Sequence, residues 1–555
     1  MEIIEKKDKY KEAEEERSKY VSAILNSKSE KKVVVAGAGT GKTYLFKELL
    51  KGKKSTITLT FINSLVEDLS LELYGISDVL TLHSFGRSQL GTILKKKIKI
   101  HPKLAIVIRK DSEILQGIDI DFNKIFNERD DTNPHLMFYE KRRQYYDYYG
   151  YTDVIFSTVK FYEGDPTTIP LYEQVLVDEF QDFNKLEVSL IELLGSKSPI
   201  LLAGDDDQAL YDFKNASAEY IRERHGDKMS QYEGFSLPFC ARCPRVVVEA
   251  TNDLISSAQK NGFLKGRINK QYIYFDNKDK DKVSDKYNKI IHKKVFAGQI
   301  PWKITQCIEE IALDLKDKFS VLIISPYKQQ SKQIVKALRE KGLANIDFTI
   351  KDSENEVTLL DGFNLLLQDK KDNLGWRMVA PFFISSEDFI LLIQTSAQDP
   401  SKKIIDLLSK EIIKIVGDIL KSLKSISDGR AITPEILAST LKHFKIDPNS
   451  LASEFLKEKI NSFERTSGNP AIRKIPIKAT TIQSSKGLAA DVIFITHFDD
   501  QYFIKENKKK IISDQDICNF LVALTRAKKK VFIISSVDDN PIFLTWIGSD
   551  KILKK

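Results

Sequence analysis

The sequence predicts an α/β protein: two domains, each built on a parallel sheet covered by helices and each carrying a largely helical insertion. Three observations lead there. Short runs of aliphatic and β-branched residues at Val33–Ala36, Ile57–Phe61, Gln174–Val177, Ile200–Ala203, Val321–Ser325, Val492–Thr496 and Val531–Ser535 alternate with charged helical segments. Strands buried on both faces between helices read this way. The 555 residues also exceed what one hydrophobic core supports, so several domains are expected. Finally, two stretches, 91–170 and 345–470, break the rhythm.

Taken in order, residues 1–30 are strongly charged and predict one or two exposed helices. The first α/β domain spans 1–90 and 171–245, with 91–170 as its insertion. That insertion is basic (KKKIKIHPK) and then aromatic. Its segment from Phe138 to Tyr151 mixes Lys141, Arg142 and Arg143 with six tyrosines. This string fits nucleic-acid contact, but a helix with a packed tyrosine face and a solvated basic face is the preferred reading. The second α/β domain spans 246–344 and 471–555, with 345–470 as a helical insertion. There Ile404, Ile405, Leu408, Ile412, Ile415, Val416, Ile419 and Leu423 recur at three- and four-residue spacing. Thr433-Pro434 reads as an N-cap followed by proline at the first helical position. Asp276 to Lys294, rich in lysine and aspartate, predicts an exposed loop or linker. No internal repeat of 20–50 residues is present.

Hydrophobic content of 42% with 30% charged residues is that of a soluble globular chain. The net charge of +8 suits a polyanionic partner only where basic residues gather on one face. Four cysteines give no disulfide framework and point to a reducing compartment. The start, MEIIEKKDKY, lacks the apolar core of a signal peptide, and runs such as Phe389 to Ile393 are too short to cross a bilayer. A cytoplasmic protein without a membrane partner is expected.

The chemistry begins at VVVAGAGTGKT, Val33 to Thr43. A buried strand ends in a glycine loop that opens a helix near Lys42. Gly37, Gly39 and Gly41 let backbone amides curl round phosphate oxygens, Lys42 supplies charge, and the Thr43 hydroxyl can hold Mg²⁺. LVDEFQD, Leu176 to Asp182, supplies what the loop lacks. Its strand delivers Asp178 to the metal, and Glu179 can orient and deprotonate an attacking water. An Asp-Glu pair alone is weak evidence, but following a phosphate loop on the same sheet it reads as catalytic.

With LLAGDDDQALYDFK (Leu201 to Lys214) added, the sequence resembles the UvrD/Rep/PcrA family of superfamily 1 DNA helicases. TFINSLVEDL (Thr60 to Leu69), TLHSFG (Thr81 to Gly86), LPFCARCP (Leu237 to Pro244), TTIQSSKGLAADVIF (Thr480 to Phe494) and LVALTRAKKKV (Leu521 to Val531) are similar to its further motifs, in order. The resemblance implies two RecA-like domains closing on Mg²⁺ and ATP, with other NTPs as alternative fuels. The nucleotide set it implies is Gly37, Ala38, Gly39, Thr40, Gly41, Lys42, Thr43, Tyr44 and Gly487. Gln208 would sense the γ-phosphate, and Arg242 and Arg526 would be arginine fingers. Phe61, Asn63, His83, Tyr211, Phe213, Lys214 and Thr480 would line a single-strand path.

The implied function is an NTP-dependent single-stranded DNA translocase and helicase moving 3′ to 5′ on single-stranded and tailed duplex DNA. The alternative is a DNA-stimulated ATPase switch regulating a separate partner such as a nuclease, in DNA repair or phage defence. The tail after Arg526, about 30 residues, leads to the expectation that any nuclease is a separate protein.

The sequence departs from the family on the nucleoside side. No glutamine precedes the phosphate loop, Ala241 stands where a base-stacking tyrosine is usual, and Ala489 stands where a ribose-binding glutamate is usual. Poor discrimination among NTPs and weak binding are therefore expected, unless Tyr44 or Phe239 stacks on the base instead. Cys240 and Cys243 form a C-x-x-C round Arg242. Such a pair can be redox-active or half a zinc site. With Cys307 and Cys518 isolated, two inert thiols are the default.

Overall fold

The computed structural model describes residues 2–61, 63–210, 216–226, 231–316, 318–341, 343, 346–348, 356–427, 432–444, 446, 475–504 and 511–555. The chain forms two compact units: Met1–Phe85, Asp165–Lys351 and Thr466–Lys555 make the first, Gly86–Gly164 and Asp352–Arg465 the second. The first unit holds two parallel sheets. Its first half uses β1 (Lys31–Ala36), β2 (Thr56–Thr60), β3 (Asp78–Thr81), β4 (Gln174–Val177), β5 (Ile200–Gly204) and β6 (Glu233–Leu237), in the order β3-β2-β4-β5-β1-β6. A short parallel pair follows, β7 (Phe239–Cys240) with β8 (Ile273–Tyr274). The second half uses β9 (Ile290–Lys294), β10 (Val321–Ser325), β11 (Ile346–Phe348), β12 (Ile477–Thr481), β13 (Ala490–Thr496), β14 (Ala527–Ser535) and β15 (Ile552–Lys554), in the order β11-β12-β10-β13-β14-β9-β15.

Each run singled out in the sequence lies within or overlaps one of these strands. β4, β5 and β10 are buried along their whole length, as strands sandwiched between helices must be. The strands not expected, such as β3 and β6, have exposed or polar positions that dilute the apolar signal. The charged amino terminus is one helix, α1 (Glu2–Asn26), whose Val21 and Ile24 pack with Val34 of β1 and Leu45.

The lysine- and aspartate-rich segment from Asp276 to Lys294 is not a loop. Asn277 caps a helix, Lys278–Lys286, by accepting from the amides of Asp279 and Lys280, and β9 then runs buried between β14 and β15. A strong cap and a single buried face at Ser284 suffice where charge density hides the pattern.

The second unit is helical, and both insertions build it together. Ile114, Leu115 and Tyr145 of 86–164 pack on a core of Leu359, Phe363, Trp376, Val416 and Ile419. The 404–423 periodicity is real but spans two helices, Ile404–Leu407 and Lys410–Ser427. Thr433 accepts from the Ile436 amide as the cap before Pro434.

The tyrosine-rich string forms helix Leu136–Tyr146, with Tyr139 and Tyr146 buried as expected, but Arg142 is buried too rather than solvated. Its Nε donates to Asp111 Oδ2 at 2.9 Å; Tyr146 donates to the same oxygen at 2.6 Å, and Arg377 Nη2 to Oδ1 at 2.7 Å. Burial works against the Asp111 carboxylate, yet Arg377 and Arg142 outweigh it and hold its pKa below the ordinary value. Removing the acid would leave two guanidinium groups without their counter-charge. Asp111→Ala should therefore cost about 3–5 kcal/mol of stability, read by urea denaturation, while Asp119→Ala, at the exposed pair with Arg109, should leave the midpoint unchanged.

Candidate nucleotide site and cleft

β1 ends at Ala36, residues 37–41 turn, and helix Lys42–Leu50 (α2) begins. Gly39 (φ +72°) and Gly41 (φ +99°) lie in the left-handed region that side chains disfavour. Gly39 has a second reason to be glycine: a Cβ there would sit 2.3 Å from Arg242 Cβ. The Ala241 amide donates to the Gly39 carbonyl at 2.9 Å. The segment bearing Arg242 therefore lies directly on the phosphate loop.

β4 carries the carboxylates in. Glu179 adopts a left-handed φ of 56°, a strained conformation for a non-glycine residue. Both acids converge on Lys42, whose Nζ is 3.0 Å from Asp178 Oδ1 and 2.5 Å from Glu179 Oε1. Burial disfavours the Lys42 ammonium, but Asp178 and Glu179 outweigh it and raise its pKa. Burial likewise disfavours the Glu179 carboxylate, and Lys42 and Lys486 hold its pKa well below the ordinary value. Asp178 moves the other way: burial and the adjacent Glu179 raise it despite Lys42. Asp178 Oδ1 is buried and, beyond its ion pair, accepts no directed hydrogen bond. A hard oxygen left so, with the Thr43 hydroxyl at the start of α2, is a donor set that fits Mg²⁺.

Residues outside the sequence expectations complete the cluster. Lys486, on the second half, places Nζ 2.5 Å from Asp182 Oδ2 and 3.4 Å from Glu179 Oε2, and donates to the Gln208 carbonyl at 2.6 Å. Gln181 Nε2 donates to Glu179 Oε2 at 2.7 Å. Burial pushes Asp182 up to about 6, against the pull of Lys486. A lysine beside Gly487 carries no chemistry-bearing spacing of its own, so only the folded contacts find it.

Gln208 joins the halves. Its Nε2 donates to Asp205 Oδ2 at 2.6 Å, and Arg526 Nη2 donates to its Oε1 at 2.8 Å. Arg526 is 2% exposed, and its hydrogen-bond partners, Val522 O, Leu488 O, Gln208 Oε1 and Thr525 Oγ1, are all neutral. Burial and then the nearby Arg242 charge lower its pKa to about 10. The Arg526 guanidinium thus has no carboxylate among its hydrogen-bond partners. The acidic run Asp205, Asp206 and Asp207 is, by contrast, already paired: Lys270 Nζ lies 2.6 Å from Asp205 and 2.9 Å from Asp207 and also bonds Asp206, while Arg267 is 2.7 Å from Asp207.

Beside the loop, a shallow pocket is lined by Arg17, Tyr20, Tyr44, Leu237, Pro238 and Phe239. Tyr44 is half exposed, and the Arg17 guanidinium of α1 lies 5.4 Å from its ring centroid. The residues expected along a DNA path are spread over strand ends. Phe61 follows β2 and meets Phe183 edge-on at 5.6 Å; Asn63 opens helix Asn63–Glu72; His83 follows β3; Thr480, in β12, is fully buried. Gly487 has φ +84°. Tyr211, Phe213 and Lys214 lie outside the described residues.

A family model for the UvrD/REP helicase N-terminal domain matches residues 122–228, which include Asp178, Glu179 and Gln208. A probable DNA helicase II homolog of Mycoplasma genitalium is 22% identical over 94% of this chain and 86% of its own length. DNA helicase II of Haemophilus influenzae is 24% identical over 40% of this chain and 38% of its own. The ATP-dependent DNA helicase PcrA of Staphylococcus aureus is 22% identical over 44% of this chain and 40% of its own. Among the described residues no helix is long and apolar enough to cross a membrane.

Gly39→Ala should lower the rate of NTP hydrolysis about 100-fold, because the added carbon pushes Arg242 off the loop. Gly52→Ala, also at positive φ (+82°) but with nothing within 4 Å, should leave the rate unchanged; phosphate-release assays on both variants decide it.

Proposed function

We propose that the chain is a UvrD-like superfamily 1 helicase, an ATP-dependent DNA helicase that moves 3′ to 5′ on single-stranded DNA by closing two RecA-like halves on Mg-NTP; its similarity to UvrD/REP helicases supports this reading. The observation that carries this reading is the buried Arg526 guanidinium, which has no carboxylate among its hydrogen-bond partners and lies near the charge of the partly buried Arg242: such a pair is a place for a polyphosphate. The phosphate loop and Lys42 hold the triphosphate, and Asp178 and Thr43 hold Mg²⁺, which neutralises phosphate charge when bound. As Lys42 turns to the phosphates it leaves Glu179. With Lys42 gone, burial raises the affinity of that carboxylate for a proton against the remaining pull of Lys486, so Glu179 becomes a better base for the attacking water as substrate arrives. Arg242 and Arg526 meet the charge that spreads over the transferring group, and Gln208, held from both sides, reports its presence to the DNA side. Aromatic faces such as Phe61 accept any base, so movement need not depend on sequence.

DNA-stimulated hydrolysis should fall about 10²–10⁴-fold in Glu179→Gln, and wild type should displace a strand from a 3′-tailed duplex. Stimulated hydrolysis without displacement would replace the motor by a DNA-sensing switch acting on a separate protein such as a nuclease.

A base held against Tyr44 would meet a ring face and the donor-only Arg17 guanidinium, neither of which selects one base carrying an acceptor over another, so stacking there would not restore discrimination. kcat/KM for ATP, GTP, CTP and UTP should agree within about 10-fold, and Arg17→Ala should raise KM for all four; a strong ATP preference in steady-state kinetics would refute broad fuel use.

A further inference from the structure

Behind the phosphate loop lies a cluster that the hydrolytic reading leaves unused. Tyr272 immediately precedes β8, and Asn252 Nδ2 anchors its backbone carbonyl at 2.8 Å. Its ring packs against Gly37, where a Cβ would come within 3.0 Å, and its hydroxyl donates to the Ala38 carbonyl at 2.9 Å. The same hydroxyl lies 3.1 Å from Cys240 Sγ and 3.7 Å from Cys243 Sγ. Cys240 Sγ also donates to Ala38 O at 3.3 Å, and the Cys243 amide donates back to Cys240 Sγ at 3.3 Å. Cys243 Sγ donates to the Thr525 carbonyl at 3.4 Å, one residue before Arg526. All three side chains are buried.

Three turns meet here: the phosphate loop at Ala38, the turn that carries Arg242 between the two cysteines, and the turn that carries Arg526. Each is tied to the others through one phenol and two thiols, and none of these ties involves a group that binds phosphate. We propose that Tyr272, with Cys240 and Cys243, is the positioning element that sets both arginines in register with the phosphate loop. This inference rests on the hydrolytic reading of the cleft. Ground-state phosphate binding is carried by the loop amides and Lys42. The arginines act on charge that appears during transfer, so loss of register falls on turnover rather than on affinity.

The test is steady-state DNA-stimulated ATP hydrolysis on the full chain. Tyr272→Phe keeps the ring on Gly37 and removes the hydroxyl; kcat should fall about 3- to 10-fold with KM within about 2-fold, and the melting temperature and affinity for a labelled oligo-dT should be unchanged. Cys240→Ser, which keeps a donor to Ala38 O, should retain most of the turnover that Cys240→Ala loses. Wild-type kcat in Tyr272→Phe overturns the proposal, as does a fall in kcat accompanied by equal losses in KM and melting temperature, which would mark a structural role. A wild type without DNA-stimulated hydrolysis overturns the underlying reading instead, and this inference with it.

Discussion

Charge shut away from water governs the cleft. Asp178, Glu179, Asp182, Lys486 and Arg526, with the partly buried Lys42, are brought within a few hydrogen bonds of one another, the first five at burial levels where an isolated ion would cost several kcal/mol. The arrangement persists because each acid finds a cation from a different segment, and one of those cations, Lys486, comes from the far half, as does Arg526, which reaches Gln208. These contacts tie the two halves together across the cleft. On the proposed function, a triphosphate would rearrange them: Lys42 would leave the acids for the phosphates, and the guanidinium groups would gain an anion, so that fuel binding would be an exchange of counter-ions across the interface.

Geometry makes the exchange local. The phosphate loop, the Asp178–Glu179 pair and Asp205–Gln208 follow β1, β4 and β5, which lie side by side in parallel, so consecutive carboxyl ends present their loops to one crevice. The Arg242 turn lies against the loop at Gly39, which has no Cβ to hold it off. Placing Arg242 there needs no long side chain reaching across solvent.

The sheets and the glycine turn of the candidate phosphate site were legible because their signals are local. A strand of four or five apolar residues, a glycine loop and a Lys-Thr pair occupy a dozen positions, and the fold leaves them where the pattern puts them. The helical unit was less legible. Its two segments read as separate insertions because the ties between them, such as Asp111 to Arg377, span 266 residues and leave no periodic trace. Arg142 looked like a solvated residue for the same reason. Asp276 to Lys294 was misread because a helix cap at Asn277 outweighs a composition that otherwise suggests a linker. Lys486 and Tyr272 were invisible for a different reason: each matters through a backbone carbonyl or a carboxylate brought near only by folding.

The helical unit also carries a consequence for how the chain is made. Asp111 and Arg142 leave the ribosome long before Arg377, and at roughly 5–20 residues per second the 266 residues between Asp111 and Arg377 take about 13–53 s to synthesise. For that interval the first segment has its acid and one guanidinium but not the second, and the apolar faces of Ile114, Leu115 and Tyr145 have no core to enter. The first segment must wait, half-neutralised and with apolar surface exposed, until translation is most of the way through the chain. Synthesis rate and chaperone holding then become determinants of yield, and a slow codon placed before residue 352 would lengthen the vulnerable period.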